Sequence, residues 1–328
     1  MNDVSRREFV SISLGSALAG WLGSSQAQTG QTGKLLVGYP AGGSLDVTAR
    51  QLAEAWRKGG RIYIVDNRPG AGGRIANSHL KRERADGNTL LVTHSSALTI
   101  YPHVYKQLMY DVVADFAPIS PLVSATLAFA VSSAVPADRV KTLDDYIRWV
   151  RANPEAASYA SPAAGSSAHL LGFQLSQARS LNLQHVAYRG SAPAMQDLLG
   201  GQVPAYFGQV PDFIPYLQKA GIRILGVAGE KRSRFMPGIP TFAEQGLPSM
   251  RHVETYGVFA PPSTPDATIK TLQNAVVEAS VDTQLRSAFD QLGLEVVTST
   301  PSQYAVALQQ ERDSWEPIVR ASGFHLED

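Results

Sequence analysis

Two stretches of the chain place glycine and serine where a strand-like run gives way to a helix-like one. They are Tyr39-Pro40-Ala41-Gly42-Gly43-Ser44-Leu45-Asp46 and Ser161-Pro162-Ala163-Ala164-Gly165-Ser166-Ser167-Ala168-His169. At such a junction the first N–H groups of the helix lack an intrahelical partner, and the helix dipole adds positive potential. Glycine lets a ligand approach the backbone, and serine adds hydroxyl donors. The chemistry this suits is reversible capture of an anion, such as a carboxylate. Ser44 or Asp46 is expected to cap the first helix, and Ser166 or Ser167 the second. Taken alone, Gly42-Gly43 also fits an ordinary strand-to-helix turn. It is not a phosphate-cradling P-loop, because no Gly-Lys-Ser or Gly-Lys-Thr follows.

Other reactive patterns are weaker. His169 lies in the first turn of the second helix and invites an acid–base role, but a neutral histidine packed inside a domain is the expected outcome. Ser44 or Ser166 with His169 and an aspartate sketches a serine hydrolase, yet no Gly-x-Ser-x-Gly elbow and no separately held orienting aspartate is evident. Arg68, in the turn Asn67-Arg68-Pro69-Gly70-Ala71-Gly72-Gly73, resembles a carboxylate clamp; a tight structural turn is the expectation. The seven histidines are scattered and there is no cysteine, so no metal site, cofactor, thiol chemistry or disulfide is expected. The chain is read as a non-enzyme.

These loops need strands and helices to hold them, and the sequence supplies them in alternation. Apolar runs at residues 34–39, 61–67 and 89–93 alternate with helical patterns at 45–58 and 74–82, the rhythm of a parallel sheet. Residues 116–133 form a long apolar stretch, broken by Pro118 and Pro121, that reads as two consecutive strands and a first crossing between two lobes. Thr142 with Asp145 begins a helix that Asn153-Pro154 ends. The rhythm then repeats through strands at 158–160, 183–188, 205–208 and 222–228, with helices reaching 178 and spanning 191–199. Gly200-Gly201 is expected to close the latter helix. Residues 254–261 read as the return crossing. Thr264-Pro265 and Thr300-Pro301 each place a capping residue before a proline at a helix start.

Length agrees: 328 residues suit two domains of ordinary size. A 44% hydrophobic and 17% charged composition excludes a disordered chain, and a net charge of +1 without basic clusters excludes a nucleic-acid partner. At the N-terminus, Ser5-Arg6-Arg7-Glu8-Phe9-Val10 precedes a short apolar run and the small residues around Ala27. That is a twin-arginine export signal pattern, too short and glycine-diluted for a permanent membrane anchor. The expected division is a signal peptide at residues 1–27, one discontinuous lobe from 28–124 plus 254–328, and a second lobe from 125–253.

Several of these segments, in this order, resemble the Bug-type receptors of tripartite tricarboxylate transporters, a periplasmic binding family. Tyr39 through Asp46 is similar to the family's Phe-Pro-Pro-Gly-Gly-x-x-Asp loop, and Asn67 through Gly73 to its Asn-Arg-Pro-Gly-Ala-Gly-Gly turn. Ser166 through Leu170 resembles its Ser-x-His-Leu helix start. Tyr188-Arg189-Gly190 and residues 197–203 resemble its Tyr-Lys-Gly and Asp-Leu-Leu-Gly-Gly-Gln-Val patterns. Lys231-Arg232-Ser233, Pro240-Thr241-Phe242 with Glu244, and Ala260-Pro261-Pro262 extend the likeness over nearly the whole chain after the signal.

The resemblance implies a type II-like periplasmic binding protein, α/β, with two doubly wound lobes joined by two crossing segments around a ligand cleft. It implies a small carboxylate as ligand, membrane transporter subunits as partners, and a monomer exported to the periplasm. A ligand-presenting sensor for a two-component system uses the same cleft. Carried over by position, the ligand-facing residues are Tyr39, Gly42, Gly43, Ser44, Asp46, Ser95, Ser96 and Ala97 on one side. On the other they are Ser166, Ser167, His169 and Tyr188. One departure matters: where many relatives have Phe-Asp, this chain has Phe207-Gly208, which removes a carboxylate able to pair with a ligand amine.

Overall fold

A computed structural model describes residues 32–217 and 221–327. The twin-arginine segment and the expected cleavage site lie outside the described residues. In chain order the first elements are β1 (Gly33–Val37), α1 (Ser44–Lys58), β2 (Tyr63–Asn67), α2 (Arg74–Leu80) and β3 (Thr89–His94). Two short helical turns, Ser96–Thr99 and Tyr101–Val104, lead to β4 (Ala117–Val131). Then follow α3 (Leu143–Ala152), β5 (Ser158–Ser161), α4 (Ser167–Ala178), β6 (Gln184–Ala187), α5 (Ser191–Leu199), β7 (Ala205–Gln209) and β8 (Arg223–Val227). The chain closes with β9 (Val253–Ala260), α6 (Asp266–Ser280), α7 (Thr283–Leu292), β10 (Glu295–Val296) and α8 (Pro301–Ser322).

The strands run β2-β1-β3-β9-β4-β7-β5-β6, with β8 and β10 also paired to β4. β1 lies parallel to β2 and β3, and β5 lies parallel to β6 and β7. These are the two strand-helix-strand groups that the alternation predicts. Between them, β9 and β4 run antiparallel to their neighbours and to each other, so the sheet is mixed.

β4 corrects the expectation of two strands: it is a single strand of 15 residues. Pro118 and Pro121 do not end it, because the register with β9 shifts between Pro118 and Ser120 and again between Pro121 and Val123. A proline has no N–H to offer a ladder, and an irregular register lets the strand pass it. Up to Thr126, β4 pairs with β9; from Leu127 it pairs with β7. One strand therefore serves both parallel groups.

Helix ends show which local signals suffice. Thr142 accepts from the Asp145 N–H and Asp145 reaches back to Thr142, the reciprocal box read from sequence. Thr300 and Gln303 repeat it at α8. One other expected cap differs: Thr264 gives its hydroxyl to the Pro261 carbonyl, and Pro265 takes the cap position of α6. At the end of α5 the expected pair closes the helix, with Gly200 as the cap and Gly201 turning left-handed at φ +71°.

α4 is held close to β5 because residue 172 is glycine. An added Cβ at Gly172 would stand 2.0 Å from the ring of Tyr159, which is 1% exposed and gives its hydroxyl to the His169 carbonyl at 2.8 Å. Gly172→Ala is expected to push helix and strand apart and destabilise the protein by about 1–3 kcal/mol. The midpoint of urea unfolding should fall accordingly, and an unchanged midpoint would mean the contact is not tight.

Candidate functional site

The first loop leaves β1 and enters α1, where open α/β sheets expose ligand sites. Gly42 turns at φ +88°, a left-handed conformation natural to glycine, and Gly43 in extended backbone becomes the N-cap. Neither Ser44 nor Asp46 caps in the expected way. Asp46, 1% exposed, turns back to accept the Gly42 N–H at 2.9 Å, Arg50 Nε at 2.9 Å and Asn67 Nδ2 at 2.8 Å. Burial works against its charge, but these donors prevail and hold the carboxyl below its ordinary range. Asp46 thereby fixes the loop and neutralises Arg50. Among the described residues, no acceptor pairs with the N–H groups of Gly43, Ser44, Leu45 or Asp46.

The second loop leaves β5 and enters α4. Ser166 is its N-cap, accepting the His169 N–H at 3.2 Å and donating to the Ala163 carbonyl at 2.7 Å. His169 Nδ1 accepts the Gly165 N–H at 3.1 Å, so its ring braces the loop from behind. That ring stacks on His185 at 3.8 Å and meets Phe324 edge-on at 4.6 Å. Burial lowers the His169 pKa to about 4, and burial with the neighbouring imidazole lowers that of His185 to about 3, so both are neutral at pH 7. Tyr188 gives its hydroxyl to Asp197 at 2.6 Å.

The two loops meet over one strand. Ser44 Oγ lies 3.1 Å from the Tyr256 hydroxyl, and Ser167 Oγ donates to Glu254 Oε2 at 2.7 Å. Residues 254 and 256 share a face of β9, about 7 Å apart along the strand. Tyr256 donates to Gln209 Oε1, which leaves the Ser44 hydroxyl as donor to Tyr256. Beside this floor, His94 sits edge-on between the rings of Tyr39 and Tyr256 at 5.0 and 4.5 Å. The Tyr39 hydroxyl donates to the Gly72 carbonyl at 3.2 Å, which ties the first loop to the turn at 67–73. Arg68 in that turn pairs with Asp66 at 2.9 Å and lies 2.7 Å from His79 Nε2.

Glu254 is the residue that the sequence reading missed. It is 2% exposed and also accepts the Ser96 N–H at 2.9 Å, while the Ser95 hydroxyl lies 3.5 Å away. Ser95 Oγ and Thr99 Oγ1 donate to Glu311 of α8 at 3.1 and 2.9 Å. Ala97, expected beside these serines, is buried, and its carbonyl accepts the Tyr110 hydroxyl. Burial opposes the charge of Glu254, yet His252 at 3.5 Å, His94 and the Ser167 hydroxyl hold its pKa down, to about 2. Glu311 shifts the other way, raised chiefly by burial. A lone acid opening an otherwise apolar strand was the available sequence signal.

No nucleophile is prepared here. Ser161 Oγ lies 2.7 Å from His185 Nε2 but also donates to the Ala163 carbonyl at 2.9 Å, and Ser161 is buried. A mixed α/β fold whose strand-end loops face each other over a polar floor defines a two-lobed periplasmic solute-binding protein, not an enzyme. Residues 48–324 match the model for the tripartite tricarboxylate transporter family receptor, and the chain belongs to that family. It is 33% identical to BugT of Bordetella pertussis over 297 residues, 89% of this chain and 90% of that one. The fold superposes on the periplasmic binding protein BugD with a TM-score of 0.79 at 28% identity, covering 90% of this chain and 98% of that one. A Rhodopseudomonas palustris protein solved with adipate gives a TM-score of 0.82 at 27% identity, with the same coverage.

Glu254 makes the acid stability of the protein testable. Its folded pKa lies below the unfolded value of about 4.3, so it stabilises the fold above that pH and loses this contribution as pH falls toward about 2. Between those limits the unfolding free energy of the wild type should drop more steeply than that of Glu254→Gln. Parallel curves in urea titrations across the window would show that the carboxylate is not ionised in the fold.

Proposed function

We propose that the chain captures a small carboxylate in the cleft between residues 39–46 and 162–169 and delivers it to the membrane subunits of a tripartite tricarboxylate-type transporter. The observation that carries this reading is the set of unpaired N–H groups at Gly43, Ser44, Leu45 and Asp46, at the positive end of a 15-residue helix. Arg50 is already paired with Asp46, so the anion is held by peptide nitrogen and not by this guanidinium. Family membership and the likeness to a protein solved with adipate support the ligand class. Several such N–H donors suit affinities on the order of 1 μM, about 8 kcal/mol.

The lobes are taken as residues 28–124 plus 254–328 and residues 125–253. The change of partners along β4 after Thr126, and the start of β9 at Val253, support these limits. Export by a twin-arginine signal at residues 1–27 and action as a monomer complete the reading. Of the residues carried over as ligand-facing, Gly43, Ser44 and the Asp46 N–H keep that role, while Gly42 serves the turn and gives its N–H to the Asp46 carboxylate. Tyr39, the Asp46 carboxylate, Ser95, Ser96, Ala97, Ser166, Ser167, His169 and Tyr188 act by holding the loops and the floor in place.

Gly208 bears on the ligand's other end. Its Cβ position is filled by the ring of Tyr206, 2.3 Å away, and the Tyr206 hydroxyl donates to Asp212 at 2.9 Å. Asp212 also accepts the Gln209 N–H at 3.0 Å, and burial raises its pKa, so it is a poor partner for an ammonium.

A thermal-shift panel of carboxylates, aromatic acids and amino acids tests the ligand class, because only a ligand that prefers the folded form raises Tm. Ser44→Pro then tests the donors. Proline is tolerated at the first helical position, and the extended Gly43 before it is compatible, so the change removes one N–H and leaves α1 intact. Carboxylate affinity should fall about tenfold or more, beyond the loss in Ser44→Ala, which removes the hydroxyl alone. Equal affinity in both variants would refute amide capture at this loop. In calorimetry, glutamate and aspartate should bind more weakly than non-aminated acids; tighter binding of either would overturn the role given to Gly208.

A further inference from the structure

Two donors that the family resemblance assigns to a ligand are already occupied by the protein. The Ser96 N–H and the Ser167 hydroxyl converge on the two oxygens of Glu254, at 2.9 and 2.7 Å. One donor follows β3 and the other opens α4, so Glu254 joins segments that lie far apart in sequence. Tyr39, His94 and Tyr256 all lie close enough to feel its charge. Glu254 therefore stands on the same floor as Tyr256, about 7 Å from the residue that meets Ser44.

We propose that Glu254 is a resident anion that selects ligand charge: the cleft accepts acids with one carboxylate, held at the N-terminus of α1, and rejects a second carboxylate directed toward α4. This inference rests on the carboxylate reading above. A second carboxylate directed toward α4 finds the Ser96 N–H and the Ser167 hydroxyl engaged. The Ser167 and Ala168 N–H groups have no acceptor among the described residues, but the like charge of Glu254 stands beside them, with little water to screen the repulsion. Displacing Glu254 offers no escape, because it strips a buried carboxylate of its donors. A neutral end on the ligand meets neither obstacle.

The test is calorimetry on the full protein with matched acids: butyrate with succinate, hexanoate with adipate, benzoate with phthalate. For the pair that binds, the wild type should favour the monoacid by about tenfold or more. Glu254→Gln removes the charge and keeps the shape, and should improve diacid affinity by about tenfold while changing monoacid affinity much less. A wild type that takes the diacid as tightly as the monoacid overturns the inference and leaves carboxylate capture standing. So does a folded Glu254→Gln with an unchanged ratio. If the variant lacks a cooperative melt, the wild-type ratio alone decides. A wild type that binds no acid of either kind overturns the carboxylate reading itself, and this inference with it.

Discussion

A carboxylate removed from water must be surrounded by donors, and much of this molecule is arranged to surround one. Glu254 draws in the peptide nitrogen of Ser96 and the hydroxyl of Ser167, with His252 alongside. Ionic groups of this kind cost several kcal/mol to bury and persist only where their partners are held rigidly. The rigidity comes from neighbours. His169 braces the loop that carries Ser167, the Tyr159 hydroxyl fastens the His169 carbonyl, and Gly172 allows Tyr159 to lie that close. Glu311, sharing the Ser95 hydroxyl, is pushed toward its neutral form by burial while Glu254 keeps its charge. Two neighbouring acids thus shift in opposite directions.

The opposite end of the floor follows different physics. Asp46 is just as buried, but it is turned away from the free amides and faces Arg50 and Asn67. It shapes the loop by taking the Gly42 N–H and leaves the N–H groups of Gly43 to Asp46 without an acceptor. Both helix starts thus keep first-turn N–H groups without an acceptor among the described residues, at Gly43 to Asp46 and at Ser167 and Ala168, but only the second also lends a hydroxyl to an internal anion.

What could be read from the sequence was local. The box between Thr142 and Asp145, the bounds of α5, and the cap at Ser166 depend on atoms a few residues apart, and each formed as its neighbours dictate. The order of strands and helices followed from the same short-range patterns. Pro118 and Pro121 misled because a local rule makes them breaks, whereas pairing with β9 accommodates them through irregular register. Thr264 misled in a similar way, its hydroxyl satisfied by a carbonyl just outside the helix. Glu254 could be noticed as a lone acid, but its partners could not be read: they lie 87 and 158 positions away, and no spacing rule connects them. The loops could be recognised in isolation, but what each one's side chains hold could not.

The undivided strand β4 has a mechanical consequence. Its first part is laced to β9 and its last part to β7 and β8, so the two strand groups share one taut backbone. An extended strand has almost no slack in length, whereas rotation about its own axis is spread over many dihedrals at small cost in each. Relative movement of the groups is then torsional, like the wringing of a ribbon. The span between the loop ends can change through a screw motion, while the distance along the connecting rail stays constant.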